Sequence, residues 1–284
     1  MIPRHCHLAA VVLALAPAVL AQPTAAQAQD AVLASVVAAP HRSEANRARD
    51  AARHPAQTLA FWGLKPGATV LEISPGAGWW TEILAPYAAR TGGRYIATGA
   101  VIDGPGATDA SSASRKAFET SFGDTALYGK VEVVPFSGST RGLGAPNSVD
   151  LAFTARNIHN WMGSPGRVDA VFADLFAVVK PGGYLGVKEH RSDPQPMKPG
   201  ASDGYVSEAY VIEAATKAGF VLDARSEINA NPKDTKDHPF GVWTLPPSRN
   251  SAPNGQPANP AFDRAKYDAI GESDRMTLRF RKPA

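Results

Sequence analysis

The sequence has one cysteine in 284 residues, Cys6. With no second thiol there is no intrachain disulfide, so stability has to come from an apolar core. A strong charge of one sign is also missing: 29 Lys and Arg stand against 26 Asp and Glu, a formal net charge of +3. That balance is too small to argue for a nucleic-acid partner or a membrane surface. The one Gly-x-Ser-x-Gly match, Gly200-Ala201-Ser202-Asp203-Gly204, stands well past the expected strand 184–189 and so lacks the strand-to-helix setting of a serine-hydrolase elbow. Nor is there a His-Glu-x-x-His zinc pair, or a phosphate loop closing on Gly-Lys-Ser/Thr. No ligand set has tight metal spacing, so no metal is expected. Internal repeats and coiled-coil periods are absent as well.

What is present is ordinary globular composition, 44% hydrophobic and 19% charged, with 25 Gly and 24 Pro pointing to long loops. Residues 8–21 form an apolar run of fourteen that contains Pro17, too short to span a bilayer comfortably. Arg4 precedes it and Ala26-Gln27-Ala28 follows, the layout of a secretory signal peptide. Cleavage after Ala28 leaves 284 − 28 = 256 residues and removes Cys6 and Arg4, so the formal charge falls to +2. The expected organisation is a signal peptide over 1–28, an N-terminal helical cap over 29–67, and a main domain over 68–284 with a loop insertion at 229–274. The mature protein is expected to be periplasmic or secreted, with no stable membrane anchor.

Past the leader, residues 31–39 read as a short apolar helix stopped by Pro40. Ser43 can cap a second helix running to Arg53, and the basic stretch 42–53 reads as a solvated face. His54-Pro55 marks a break, because proline is tolerated at a first helical position; Gly63 ends the next helix. From there strands and helices alternate. Strands are expected at 68–74, 94–98, 130–135, 149–155, 184–189, 220–228 and 276–281. Helices are expected at 80–89, 111–121, 168–179 and 206–218. This alternation predicts an α/β fold with a parallel sheet covered by helices on both faces. No helix separates the final two strands in this reading, so they can pair antiparallel. The segment between them is rich in Pro, Asn, Asp and Ser and is too long for a hairpin, which makes it an insertion or flap.

Residues 70–80 read VLEISPGAGWW. A strand ends at an acid, a glycine turn follows, and a helix starts near Trp80. Glycines there let the chain bend tightly and let a ligand approach the backbone. The following helix start adds free N–H groups. A plain strand-to-helix turn is the simpler alternative, as plain packing is for Trp79 and Trp80.

The stretch E-I-S-P-G-A-G resembles the first motif of class I S-adenosylmethionine-dependent methyltransferases. Glu72 then stands at the acid, Pro75 at the first glycine position, and Gly76 and Gly78 at the last two glycines. Val149-Asp150-Leu151-Ala152-Phe153 is similar to the fourth strand, and Val179-Lys180-Pro181-Gly182-Gly183 to the turn before the fifth. The resemblance spans roughly 55–281. RDAARHPAQTLAFWGLKPG and WTEILAPY look like a secreted subgroup of predicted methyltransferases. The resemblance implies a Rossmann-like seven-stranded, mostly parallel sheet with its last strand antiparallel. It also implies S-adenosylmethionine as cofactor and a small-molecule substrate. Glu72, Pro75, Gly76, Gly78, Trp80, Thr98 and Asn157 are the expected cofactor contacts. One position departs from the family: where an acid usually ends the second strand, this chain reads RYIATGAVID, with Thr98 in that region and Asp103 late.

Two further clusters follow expected strand ends. Asn157, His159, Asn160 and Trp161 come after the fourth, and Glu189, His190 and Arg191 after the fifth. His159, His190 and Asn157 are the catalytic candidates, with a histidine serving as general base near neutral pH. The alternative for each is a loop residue in local hydrogen bonds. His54 can reach the same rim from the cap, with Arg49, Asp50 and Arg53 just before it either at that rim or in a solvated helix with local ion pairs, and Tyr205 can close the pocket or pack in the core. For the whole chain, the alternative to methyl transfer is a non-catalytic periplasmic binding or accessory protein on the same fold.

Overall fold

The computed structural model describes residues 25–104, 106–137, 142–193 and 197–284. All but the last four residues of the expected leader lie outside them. No helix among the described residues is long and apolar enough to cross a membrane.

Four helices precede the sheet: α1 (Ala25–Val37), α2 (Glu44–Arg47), α3 (Asp50–Arg53) and α4 (Pro55–Phe61). The alternating part follows as β1 (Thr69–Ile73), α5 (Thr81–Thr91), β2 (Arg94–Gly99), α6 (Asp109–Ser121), α7 (Thr125–Tyr128) and β3 (Val131–Pro135). Then come β4 (Val149–Ala155), α8 (Ile158–Met162), α9 (Arg167–Val178), β5 (Val179–His190), α10 (Glu208–Lys217) and β6 (Val221–Ser226). The short α11 (Ala265–Ile270) lies inside the insertion, and β7 (Arg275–Arg281) closes the chain.

The seven strands form one sheet in the order β3-β2-β1-β4-β5-β7-β6. β1 pairs in parallel with both β2 and β4, and β7 runs antiparallel to both β5 and β6. The sheet is therefore the expected Rossmann-like one. Every residue of β1 is buried, as a central parallel strand requires. Alternation divides its side chains between two cores. Leu71 and Ile73 join one cluster with Ala152 and the α9 stripe of Val171, Phe172 and Leu175. Val70 joins the other with Trp62, Trp80, Tyr95 and Phe153. Glu72 lies on that second face.

The N-terminal helices differ from the expectation. The first begins at Ala25 rather than 31. Ser43 does cap a helix, accepting from the Asn46 N–H at 3.2 Å, but that helix stops at Arg47 and a separate one starts at Asp50. The basic stretch 42–53 is not a solvated face. Arg42 is 1% exposed and Arg53 2% exposed. Arg42 is buried because Asp50 takes it through two bonds of 2.6 and 2.8 Å and the Val37 carbonyl takes a third.

Trp62, just after α4, fastens this cap to the sheet. It is fully buried and stacks on Phe153 of β4 at 5.2 Å. Its Nε1 donates to the Leu278 carbonyl of β7 at 3.1 Å. Gly186 of β5 lies under the indole, and a Cβ there would sit 2.5 Å from the ring. Trp62→Ala is expected to cost about 3–5 kcal/mol, and Gly186→Ala about 1–3 kcal/mol by overpacking. Urea unfolding checks both; a loss below ~1 kcal/mol for Trp62→Ala contradicts this packing.

Candidate functional site

In an open α/β sheet, ligands bind beyond the carboxyl ends of the strands, where the strand order switches direction. Here that point is β1, flanked by β2 on one side and β4 on the other. The turn after it is strained: Ser74 has φ 54°, Gly76 60° and Gly78 82°. Ser74 has a Cβ and tolerates this region poorly. Its N–H is held by the Thr98 hydroxyl of β2 at 2.7 Å, which fixes the turn.

The two glycines do different work. A Cβ on Gly76 would meet nothing within 4 Å, so its backbone is open to a ligand. A Cβ on Gly78 would lie 2.2 Å from the buried Phe122 ring. Gly78 therefore serves packing, and it is not among the cavity's lining residues.

Two cavities flank the turn and share Ser74, Pro75 and Gly76. One, about 320 Å³, opens toward β4 and β5 and includes Glu72, Trp80, Asn157, His159 and His190. The other, about 240 Å³, opens toward β2 and β3 and includes Thr98, Gly99 and Arg115. The expected residues other than Gly78 thus gather around one edge, on both sides of one turn. A larger cavity of about 500 Å³ lies beside the insertion, around His238, Phe240 and Asn254. It touches none of the strand ends, whereas the pair at β1 collects the expected site residues.

Glu72 is 2% exposed and takes a 2.5 Å hydrogen bond from the Tyr95 hydroxyl and a long one, 3.5 Å, from Thr81. Both fall on Oε2. Burial pushes its pKa up from 4.5 to about 8, with the two hydroxyls working against that rise. Trp80 is core as well as wall: it packs on Trp62 and Phe153, and the Lys188 ammonium lies 5.0 Å over its ring. Asn157 ties β4 to β1, its Nδ2 donating to the Ile73 carbonyl at 3.0 Å and the Thr154 hydroxyl at 3.2 Å.

His159 and His190 meet at the rim with ring centroids 5.3 Å apart. Glu189 lies between them, fully buried. Its carboxylate accepts the Ile158 N–H at 2.6 Å, the His190 N–H at 2.9 Å and His159 Nδ1 at 3.0 Å. His159 therefore carries its proton on Nδ1 and keeps Nε2 for the cavity. His190 Nδ1 lies 2.5 Å from the Ser273 hydroxyl. Burial, then Arg275, His159, Arg156 and Arg53, hold His190 well below its ordinary pKa, so it is neutral at neutral pH. Ligand atoms of His159, Glu189 and His190 all lie within 4.8 Å of one another, close enough to hold a metal. The carboxylate is already filled by three donors, which suits a group that orients a histidine rather than one that waits for an ion.

Other candidates lie elsewhere. His54 caps α4 and is not among the lining residues. Tyr205 is buried behind His190 and donates to Asp234 at 3.0 Å. Arg191 turns away to Glu227 and Asp274. Asp103 is exposed and lines neither cavity.

Arg49 and Arg53 are expected near the rim, but the mostly buried cluster of cations they belong to is not. Arg49 and Arg53 of the cap line the larger of the two cavities with Arg156, which follows β4. Lys188 and Arg275 stand behind them, both almost fully buried. One carboxylate, Glu272, pairs with Arg49 at 2.7 Å, with Arg53 at 3.0 Å and with Arg275. Lys188 pairs with no carboxylate among the described residues; it donates to the Arg53 carbonyl and to Asn229 Oδ1, each at 3.2 Å. Burial, then Arg275, Arg53 and Arg156, drive its pKa well below the ordinary value. The available hint was a lysine directly after the apolar run 184–187 of β5 and an arginine directly after β4. From the insertion, Val242, Trp243 and Pro246 close the cavity as a wall.

No family model matches the chain, and no curated protein matches it by sequence. Solved structures do share its fold. The [4+2]-cyclase SpnF superposes with a TM-score of 0.52 at 18% identity, over 92% of this chain and 98% of that one. A candidate sarcosine dimethylglycine methyltransferase from Galdieria sulphuraria also reaches 0.52, at 14% identity over 84% and 85%. A SAM-dependent methyltransferase from Aquifex aeolicus reaches 0.48 at 20% identity, over 70% and 93%. Identities this low establish a common fold and nothing finer, and a fold is compatible with more than one chemistry.

The raised pKa of Glu72 sets a pH dependence. Because the folded value lies above the unfolded one, the carboxyl favours the folded state fully below about pH 4.5. That contribution is lost as pH rises through about 8. The unfolding temperature is expected to fall between about pH 5 and 9, and Glu72→Gln, which copies the neutral acid, is expected to flatten the fall. Parallel profiles for the two proteins contradict a buried, protonatable Glu72.

Proposed function

We propose that this chain is an exported methyltransferase that uses S-adenosylmethionine on a small-molecule acceptor. The observation that carries the reading is the Ser74–Gly76 turn, whose open backbone at the switch point stands between two cavities. This arrangement fits a two-part ligand laid across the turn. Glu72 and the turn's backbone would hold the amino-acid part, and the cavity beside Thr98 the nucleoside part.

The fit is weaker at β2. Thr98 already accepts from Ser74, and no carboxylate among the described residues lines that cavity. Arg115 spans the strand end instead, donating to the Val133 carbonyl at 3.1 Å. This observation favours the second reading, a binding or accessory protein that keeps the pocket without the transfer.

When bound, the cofactor supplies a methyl group activated on a sulfonium, so the protein's task is mainly alignment. Trp80 and Trp243 wall the space where an acceptor lies. His159, held by Glu189, presents Nε2 as the base that takes the acceptor's proton if one must leave. His190, neutral, keeps a second nitrogen at the same rim without adding charge. Export rests on the leader-like residues 1–28, and N-terminal sequencing of the secreted protein tests it: a start at Gln29 or Gln22 supports it, retained Met1 rejects it.

Calorimetric titration with S-adenosylhomocysteine tests the cofactor. The wild-type chain is expected to bind, and Gly76→Leu to fold yet lose binding, because its side chain would enter the open space over the turn. A well-folded wild-type protein that shows no binding rejects the reading. If S-adenosylhomocysteine binds but no methyl transfer is found across small-molecule acceptors, the binding-protein reading takes its place.

A further inference from the structure

The cation cluster is larger than the fold's own pairing needs. Arg49, Arg53 and Arg275 all converge on the single carboxylate of Glu272. Glu189, buried behind the larger of the two β1 cavities, is taken by backbone N–H groups and His159, and Glu72, which lines it, is pushed toward its neutral form by burial. Positive charge taken out of water costs several kcal/mol per ion unless it is paired. Burial, then Arg156 and Arg275, pull the Arg53 pKa down. Burial, then Arg275, do the same to Arg156.

Three of these guanidiniums have nitrogens with no partner among the described residues, and two of the three, Arg49 and Arg53, line the cavity while Arg275 stands behind them. Nη2 of Arg53 and Nη2 of Arg49 are buried and lack any hydrogen-bond partner among the described residues. Arg53 is 2% exposed and lines the cavity. Its plane is held in place, stacked on Trp79 at 4.7 Å while its Nε bonds Glu272. A rigid guanidinium with one edge paired and the other bare is shaped to take a second oxyanion.

We propose that Arg49, Arg53 and Arg156 clamp a carboxylate or phosphate group carried by the small-molecule acceptor. The proposal rests on the methyl-transfer reading and names the class of substrate. The cofactor's own carboxylate has the same chemistry, so position decides between them. The Arg53 main-chain carbonyl accepts from Lys188 of β5, and its guanidinium shares Glu272 with Arg275 at the start of β7. β5 lies two strands from β1, roughly 10 Å away at about 4.8 Å per strand. β7 lies beyond β5, so Glu272 draws the Arg53 guanidinium toward the acceptor side, while its face rests on Trp79 after the β1 turn. Tryptophans around the same space suit an anion attached to a flat, unsaturated body.

The test uses the purified full chain and inorganic phosphate, with chloride at equal ionic strength as control. Unfolding temperature is followed with and without S-adenosylhomocysteine. Phosphate is expected to raise it, chloride not, and the phosphate effect is expected to add to that of S-adenosylhomocysteine. Arg53→Met and Arg49→Gln are expected to weaken phosphate by about tenfold or more while changing S-adenosylhomocysteine affinity by less than about threefold. If Arg53→Met fails to fold, Arg49→Gln decides, because that side chain is 24% exposed. No phosphate effect on folded wild-type protein overturns the proposal. Mutual exclusion of the two ligands also overturns it, by giving the arginines to the cofactor. Phosphate binding without S-adenosylhomocysteine binding leaves the clamp standing and removes the methyl-transfer reading.

Discussion

Glu272 is the carboxylate on which the site's geometry depends. It comes from the insertion and pairs with two arginines of the N-terminal cap and with Arg275 at the start of β7. Three parts of the chain that are distant in sequence are drawn together over the carboxyl edge of the sheet. Burial opposes its charge, yet the arginines win and hold its pKa below the ordinary carboxylate range. An ion group this deep is poor at adding stability, because desolvation offsets most of the attraction, while truncating one partner is costly. Its value lies in position. It sets the cap and the insertion as two walls around a space that the sheet alone would leave open.

The excess of cations around that carboxylate fits the rest of the edge. Glu72 is pushed toward its neutral form, His190 is held neutral, and the ammonium of Lys188 is disfavoured. All three results have one cause, burial, and for His190 and Lys188 the surrounding guanidiniums add to it. Natural chains tolerate such local conflict mainly where a ligand resolves it. The strained turn at Ser74 belongs to the same pattern, since the bond from Thr98 holds a backbone shape that the core does not need.

Much of the fold was legible because local patterns and tertiary demands agree. The apolar run of β1, the helical stripe of α9 and the proline at the start of α4 each lead to the observed element. The glycine turn and the two rim histidines were legible for the same reason, since strand ends are where such groups collect. The cation site was not. Whether an arginine is solvated or buried depends on its partner, and Arg53 meets Glu272 from 219 positions away. The same limit applies to Gly78 and Thr98. Their residue types suit a cofactor turn, but Phe122 and Ser74 in three dimensions give them packing and positioning work. Tyr205 likewise faces Asp234, a partner from the insertion that no local pattern marks.

The central claim is that a ligand lies across the Ser74–Gly76 turn with the arginine cluster beyond it. A crystal structure of the full chain grown with S-adenosylhomocysteine tests this most directly. The ligand is expected to span the turn, its nucleoside beside Thr98 and its amino-acid end near Glu72, with the Nη2 groups of Arg49 and Arg53 still free of it. Clear density for the ligand elsewhere, or its carboxylate seated on Arg53, would contradict the account.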